Sequence, residues 1–174
     1  MSSQGTVRLQ VSDLLAHPGE AREETVIVPV AVSITNADVS SDADAQLKLR
    51  SITDGVVVRG RATTVADLTC TRCLLTWTEA MDVPIEAVFR VEPDDSDEEL
   101  PILAGGHIDV GVLVHDEISL ALPNRPLCSP DCLGLCPTCG NDLNMDPCDG
   151  HGEAPASPFS ALRGMFADEP SPEP

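Results

Sequence analysis

Seven cysteines carry most of the chemistry that this chain of 174 residues offers. Cys70 and Cys73 form the pair "CTRC". Cys128, Cys132, Cys136 and Cys139 crowd into "CSPDCLGLCPTCG" (128–140), and Cys148 follows in "PCDGH", three residues before His151. Two cysteines separated by two residues can be aimed inward by one tight turn, and four soft ligands placed tetrahedrally close a zinc site. One such pair is a weak signal. Two pairs with an added Cys-x3-Cys are a strong one.

The grouping is open at the level of sequence. Seven cysteines fall one short of two all-cysteine sites, and His151 supplies an eighth ligand. One division places Cys70, Cys73, Cys128 and Cys132 in a first site and Cys136, Cys139, Cys148 and His151 in a second. The alternative is a single site, from Cys70 and Cys73 with Cys136 and Cys139, or from the 128–139 cysteines alone, with the others as free thiols. In each case one or two zinc ions are expected in a structural role, because four protein ligands leave no open position for a reacting water. A dithiol couple or a sensor that releases zinc on oxidation is the redox alternative. "CTRC" lies in an expected β-turn, away from any helix N-terminus that would favour thiolate chemistry.

Other reaction chemistry is missing. There is no GxGxxG, P-loop, GxSxG or HExxH pattern, and His17, His107 and His115 have no evident acid or base partner. A non-enzymatic protein is expected. Residues 1–20 lack a basic stretch followed by an apolar one, and no apolar run reaches the roughly 18 residues that span a bilayer. A cytoplasmic location follows as an expectation, and its reducing conditions favour metal over disulfides.

The elements that must position these cysteines read mostly as strands. "VRLQVSDLLAH" begins as a strand and passes into a helical turn capped by Ser12 or Asp13, which "HPG" ends. Pro29 makes "ETVIVPVAVSI" an edge strand or two short pieces. "QLKLRSI" alternates, Asp54-Gly55 signals a turn, and "VVVRGRATTVADL" runs on as one strand or two, bent at Gly60. "LTWTEAMDVPIEAVFRVEP" is a further strand region, so that "CTRC" occupies the turn between two long strands. Val110, Leu113, Val114, Glu117, Ile118 and Leu122 then follow helical spacing, with Asp109 as N-cap and Pro123 as stop, which predicts a helix over about 110–121. The expected fold is α+β: a predominantly antiparallel meander or barrel-like sheet, one main helix, a cysteine-rich zinc knuckle and a short C-terminal helix. The domains expected are a β-rich one over 1–126, a cysteine-rich segment packed on it over 127–151, and an acidic, proline-rich tail over 152–174. Within the tail, "PFSALRGMF" (158–166) has amphipathic helical spacing and suits docking on its own domain or on a partner.

The formal net charge is −19, and the ten basic residues look scattered. Phosphate backbones are repelled by such a chain, and three Phe, one Trp and no Tyr leave few rings on which bases could stack. The acidic runs, among them "EPDDSDEE" (92–99), suit a solvated surface or one that holds a basic protein.

The ordered runs "LTCTRCLLTWTEAMDVPIEAVFRV", "IDVGVLVHDEISLALPNRPLCSPDCLGLCPTCGNDLN" and "SPFSALRGMF" resemble the YceD family, over roughly residues 45–166. These are bacterial and plastid proteins associated with accumulation of large-subunit (23S) ribosomal RNA. The matched positions are Cys70, Arg72, Cys73, Leu74, Glu117, Leu122, Pro123, Cys128, Cys132, Cys136, Cys139 and Gly140. The resemblance implies a compact β-rich domain without established enzyme activity, acting in ribosome biogenesis. In many bacteria the family's gene lies beside that of a small large-subunit ribosomal protein, which implies a basic ribosomal protein, or a precursor large subunit, as partner. Relatives vary in the downstream cysteines, which suits a metal clip rather than a catalytic centre. This chain has "ASP" (156–158) where relatives often carry "DPR". The alternative to a protein partner is direct contact with precursor ribosomal RNA through the zinc knuckle, with Arg59, Arg61, Arg72 and Arg125 as candidate binding residues. It requires those four arginines to form one patch.

Overall fold

The structure is a computed structural model that describes residues 6–93, 99–146, 148 and 151. The segment 158–166 and the centre of the acidic run, residues 94–98, lie outside the described residues. The chain divides into two compact units, 1–132 and 133–174. Cys128 and Cys132 thus belong to the first unit, beyond the residue-126 boundary expected from the sequence.

The first unit opens with β1 (Arg8–Gln10) and the short helix α1 (Ser12–Ala16). Neither Ser12 nor Asp13 caps α1; the N-cap is Val11, which has no side-chain oxygen to offer. The segment around Pro29 is two pieces, β2 (Ala21–Val28) and β3 (Val32–Ile34), because proline cannot donate to a ladder. Then come β4 (Ala37–Val39), β5 (Ala43–Ile52), β6 (Gly55–Thr69) and β7 (Thr76–Arg90), followed by β8 (Glu99–Pro101), β9 (His107–Asp109) and α2 (Val110–Ala121). The β5–β6–β7 run is an antiparallel meander, and β6 pairs with β7 along its whole length, from Gly55↔Arg90 to Thr69↔Thr76.

The barrel expectation is corrected: the sheet is open. Its order is β2-β5-β6-β4-β3, with β7 on the other side of β6 and β8 beyond it in parallel. Among the described residues the edge strands do not pair with each other, so nothing closes the sheet. Its apolar side chains occupy one face, and the helices cover that face. Ala43, Ala45, Leu47 and Leu49 are buried on β5 while Asp44, Gln46, Lys48 and Arg50 are exposed, and β6 repeats the alternation. Leu14 of α1 and Val110, Leu113, Val114 and Ile118 of α2 bury against that face in one core with Phe89 and Ile85.

Asp109 caps α2 as its sequence position predicts, its carboxylate accepting from the Val112 amide at 3.2 Å. β1 lies antiparallel to β9, and the Val7 carbonyl accepts from the amides of Val110 and Gly111, so the N-terminal segment satisfies the first donors of the helix. Asp54 holds the left-handed conformation of the β5–β6 turn, with φ 61°. β6 is one strand rather than two. Gly60 permits close strand approach, since a Cβ there would collide with the Gln46 carbonyl oxygen of β5. Gly60→Ala is therefore expected to destabilise the chain by about 1–3 kcal/mol. Denaturant unfolding checks this, and an unchanged midpoint would contradict the close approach.

Candidate metal centres

The β6–β7 hairpin ends in a cysteine knuckle at the far end of the ladder. The Leu74 amide donates to the Cys70 carbonyl at 3.0 Å, the Cys70 amide to the Leu75 carbonyl at 2.8 Å, and the Arg72 amide points at the Cys70 sulfur at 3.4 Å. The segment that follows α2 returns to this tip. The Thr71 amide donates to the Pro126 carbonyl at 3.0 Å, and the Arg72 guanidinium donates to the Cys132 carbonyl at 2.7 Å. Cys128 and Cys132 are thereby delivered to Cys70 and Cys73. Cys70 lies 3.8 Å from Cys132 and Cys73 lies 3.5 Å from Cys128, sulfur to sulfur, and all four sulfurs are within 4.8 Å of one another. A tetrahedral ion with Zn–S bonds of about 2.3 Å needs sulfurs about 3.8 Å apart. The residues present fit a metal ion.

The second unit repeats the turn. The Gly140 amide donates to the Cys136 carbonyl at 2.9 Å and the Cys136 amide to the Asn141 carbonyl at 2.8 Å, the same two bonds in the same register as the first knuckle. Leu74 and Gly140 occupy equivalent positions, with φ of 61° and 76°. Glycine adopts that conformation freely, whereas a leucine there costs about 1–2 kcal/mol. Cys136, Cys139, Cys148 and His151 bring one ligand atom each within 4.8 Å of the others. The eight candidate ligands thus lie in two sets of four. Neither single-site alternative, Cys70 and Cys73 with Cys136 and Cys139 or the 128–139 cysteines alone, corresponds to either set.

The electrostatics of both clusters call for a cation. Burial pushes the Cys70 thiol up, but the amide hydrogens of Cys128, Cys73 and Arg72 outweigh it and bring the group down to about 6. The opposite happens at Cys128, which the neighbouring Cys73 sulfur and burial together push up to about 12. In the second cluster the amides of Cys139 and Thr138 hold Cys136 down at about 6 against burial. One thiolate forms readily in each set, and further ionisation beside it is opposed by like charge until a metal ion offsets it.

The chain matches the profile of the family described as "Large ribosomal RNA subunit accumulation protein YceD" over residues 58–166. It belongs to the YceD family. An uncharacterised protein of Mycobacterium tuberculosis is 29% identical over 92% of this chain and 82% of its own length. One of Mycobacterium leprae is 25% identical over 94% and 79%. No solved structure matches. The YceD match begins within β6 and takes in the rest of the β6–β7 hairpin, α2 and all eight candidate ligands. The family-matched Cys70, Arg72, Cys73 and Leu74 build the first knuckle, and the matched Glu117, Leu122 and Pro123 lie at or after the last turns of α2.

The four candidate arginines do not form one patch. Arg59 and Arg61 stand mid-strand on the exposed face of β6. Arg72 is at the hairpin tip, about 25 Å of strand away, and Arg125 precedes the Pro126 that Thr71 binds. A basic group that sequence order hides does appear. The register Lys48↔Arg59 sets Lys48 and Arg50 beside Arg59 and Arg61 on the outer face of β5 and β6. Three of these four are already paired: Lys48 with Glu23, Arg59 with Glu86 and Arg61 with Asp82.

Two measurements test the clusters. Native mass spectrometry of the reduced protein should find two bound ions, with Cys70→Ser losing one and Cys148→Ser the other. Loss of both ions from either variant would contradict two independent sets. After chelation, alkylation of Cys136 should rise as pH passes through about 6 and be level by about pH 8. The thiolate is the nucleophile, so the raised Cys128 should stay slow to about pH 9 although it is exposed. A common onset near the ordinary thiol value would show that neither environment outlasts the metal.

Proposed function

We propose that this chain is a non-enzymatic factor in biogenesis of the large ribosomal subunit, sustaining accumulation of its RNA by binding a basic protein of that subunit in the cytoplasm. The observation that carries this reading is the family match, whose profile is named for large-subunit RNA accumulation. Net charge supports a protein rather than RNA as the direct partner: −19 on 174 residues attracts a basic chain and repels a phosphate backbone. Zinc is the ion proposed for both clusters. Three or four thiolates in tetrahedral spacing suit it, and a filled coordination shell makes its role structural. In the first cluster the ion would lock the segment after α2 onto the β6–β7 tip. In the second it would hold a short segment in which, among the described residues, few side chains are buried.

A second reading, direct RNA contact, draws support from the Lys48, Arg50, Arg59 and Arg61 group. The acidic partners of three of these weaken it, because a phosphate would have to displace a carboxylate at each.

Immobilised, metal-loaded chain offered the purified proteins of the large subunit, free of RNA, should retain one or a few basic proteins at about 50 mM salt and release them near 0.5 M, where charges are screened beyond a few ångströms. Naked 23S RNA should pass through. Retention of the RNA with no ribosomal protein held would replace the first reading with the second.

A further inference from the structure

The outer side of β7 is an open strand edge. Only Val88–Arg90 is paired there, with the short β8, and among the described residues 76–87 have no strand partner on that side. Two hollows follow the edge. One, of about 620 Å³, lies between residues 86–89 of β7 and the first half of α2, from Val112 to Glu117. The other, of about 350 Å³, lies beside residues 79–84 and reaches Ala121 and Pro123 at the end of α2. The helix therefore runs antiparallel along β7, and the two hollows lie one after the other along the trough between helix and strand. Residues from both faces of β7 line it, in keeping with the unpaired edge.

The floor is apolar, built by Ala87, Phe89, Leu100 and Leu113, with Val112 43% exposed at its side. The rim is acidic. Asp109, Asp116 and Glu117 border the larger hollow, Glu79 and Asp82 the smaller, and Arg8, bonded to Asp109, is the one cation among them. Asp116 and Glu117 have no lysine or arginine partner among the described residues. Apolar area, free backbone groups and negative charge in one strip select one kind of occupant. Nucleic acid would be repelled, and an acidic or wholly apolar peptide would leave Asp116 and Glu117 without a cationic partner.

We propose that the trough receives an extended, basic segment of a partner protein, which adds as a strand to the open edge of β7. Successive side chains of an extended segment point to opposite sides. One set enters the apolar floor, and lysines or arginines of the other set reach Asp116 and Glu117, which have no lysine or arginine partner among the described residues. Main-chain bonds to the edge supply affinity, and the two side-chain sets supply selectivity. This inference rests on the reading that the partner is a basic protein and assigns that partner a place and a conformation.

The test uses the full metal-loaded chain and a dye-labelled nine-residue peptide alternating lysine with leucine and valine, titrated by fluorescence anisotropy at low salt. The double variant Asp116→Lys, Glu117→Lys should weaken binding by about tenfold or more. The charge-matched double variant Asp42→Lys, Asp44→Lys, on the outer sheet face, should change it less than about twofold. A peptide with serine in place of leucine and valine should also bind at least about tenfold more weakly, a comparison that needs no variant of the chain. Amide shifts on binding should concentrate in residues 79–90. Equal weakening by the two double variants would overturn the trough as the site while leaving a general acidic surface for a basic protein intact. No binding by the peptide, together with no ribosomal protein retained on the immobilised chain, would remove both readings. Dimerisation that the trough variant abolishes, or peptide binding that appears only after deletion of residues 152–174, would assign the trough to a second copy or to the chain's own end and overturn the proposal.

Discussion

Fifteen paired residues of β6 and β7 form the ladder on which the rest of this structure depends. Alternation along these strands sends Val56, Val58, Ala62, Ala66 and Leu68 into the core with Val83, Ile85 and Phe89 from the partner strand. That face receives α1 and α2. The length of the ladder also carries its hairpin turn far from the opposite end of the sheet, and the turn is where Cys70 and Cys73 sit. The long ladder leaves β7 with one side committed to β6 and the other mostly open, since β8 is three residues long. Core, first metal cluster and open edge are thus consequences of one pairing.

The metal clusters complement that ladder where apolar burial runs out. At the hairpin tip, Leu74 and Leu75 are 60% and 56% exposed, so these leucines do little to hold the chain after α2 in place. What holds it instead is polar: the bonds of Thr71 and Arg72 to Pro126 and Cys132, and four sulfurs whose mutual repulsion a metal ion would turn into attraction. Using the same knuckle twice, once with leucine and once with glycine in the left-handed position, shows that the turn is set by the cysteine spacing and the amide bonds. The residue that follows the second cysteine changes its cost, not its shape.

Charge is organised by the same sheet. Lys48, Arg50, Arg59 and Arg61 gather on the outer face, with three of them opposite acidic partners, while α2 carries Asp116 and Glu117 and no lysine or arginine. The two faces of the first unit therefore present different potentials, a mixed one over the sheet and a negative one beside α2. A basic protein segment reaches Asp116 and Glu117 without displacing a lysine or an arginine, which gives the overall charge of −19 a direction as well as a size.

Much of this was legible in the residues. The periodicity of Val110, Leu113, Val114 and Ile118 and the oxygen of Asp109 marked α2 and its cap, because helix amphipathicity and capping are local. Asp54-Gly55 marked the β5–β6 turn, Pro29 the break between β2 and β3, and the cysteine spacing the two knuckles, all within a few residues of chain. The open sheet, the parallel β8 and the uncapped start of α1 were not legible. Nor was the gathering of Lys48, Arg50, Arg59 and Arg61, because register across strands is set by which faces bury together. The sequence by itself thus determined the local turns, the helix and the ligand types. Only the tertiary structure decided which ligands meet, which edge of β7 stays open and which charges stand side by side, since each depends on packing between residues tens of positions apart.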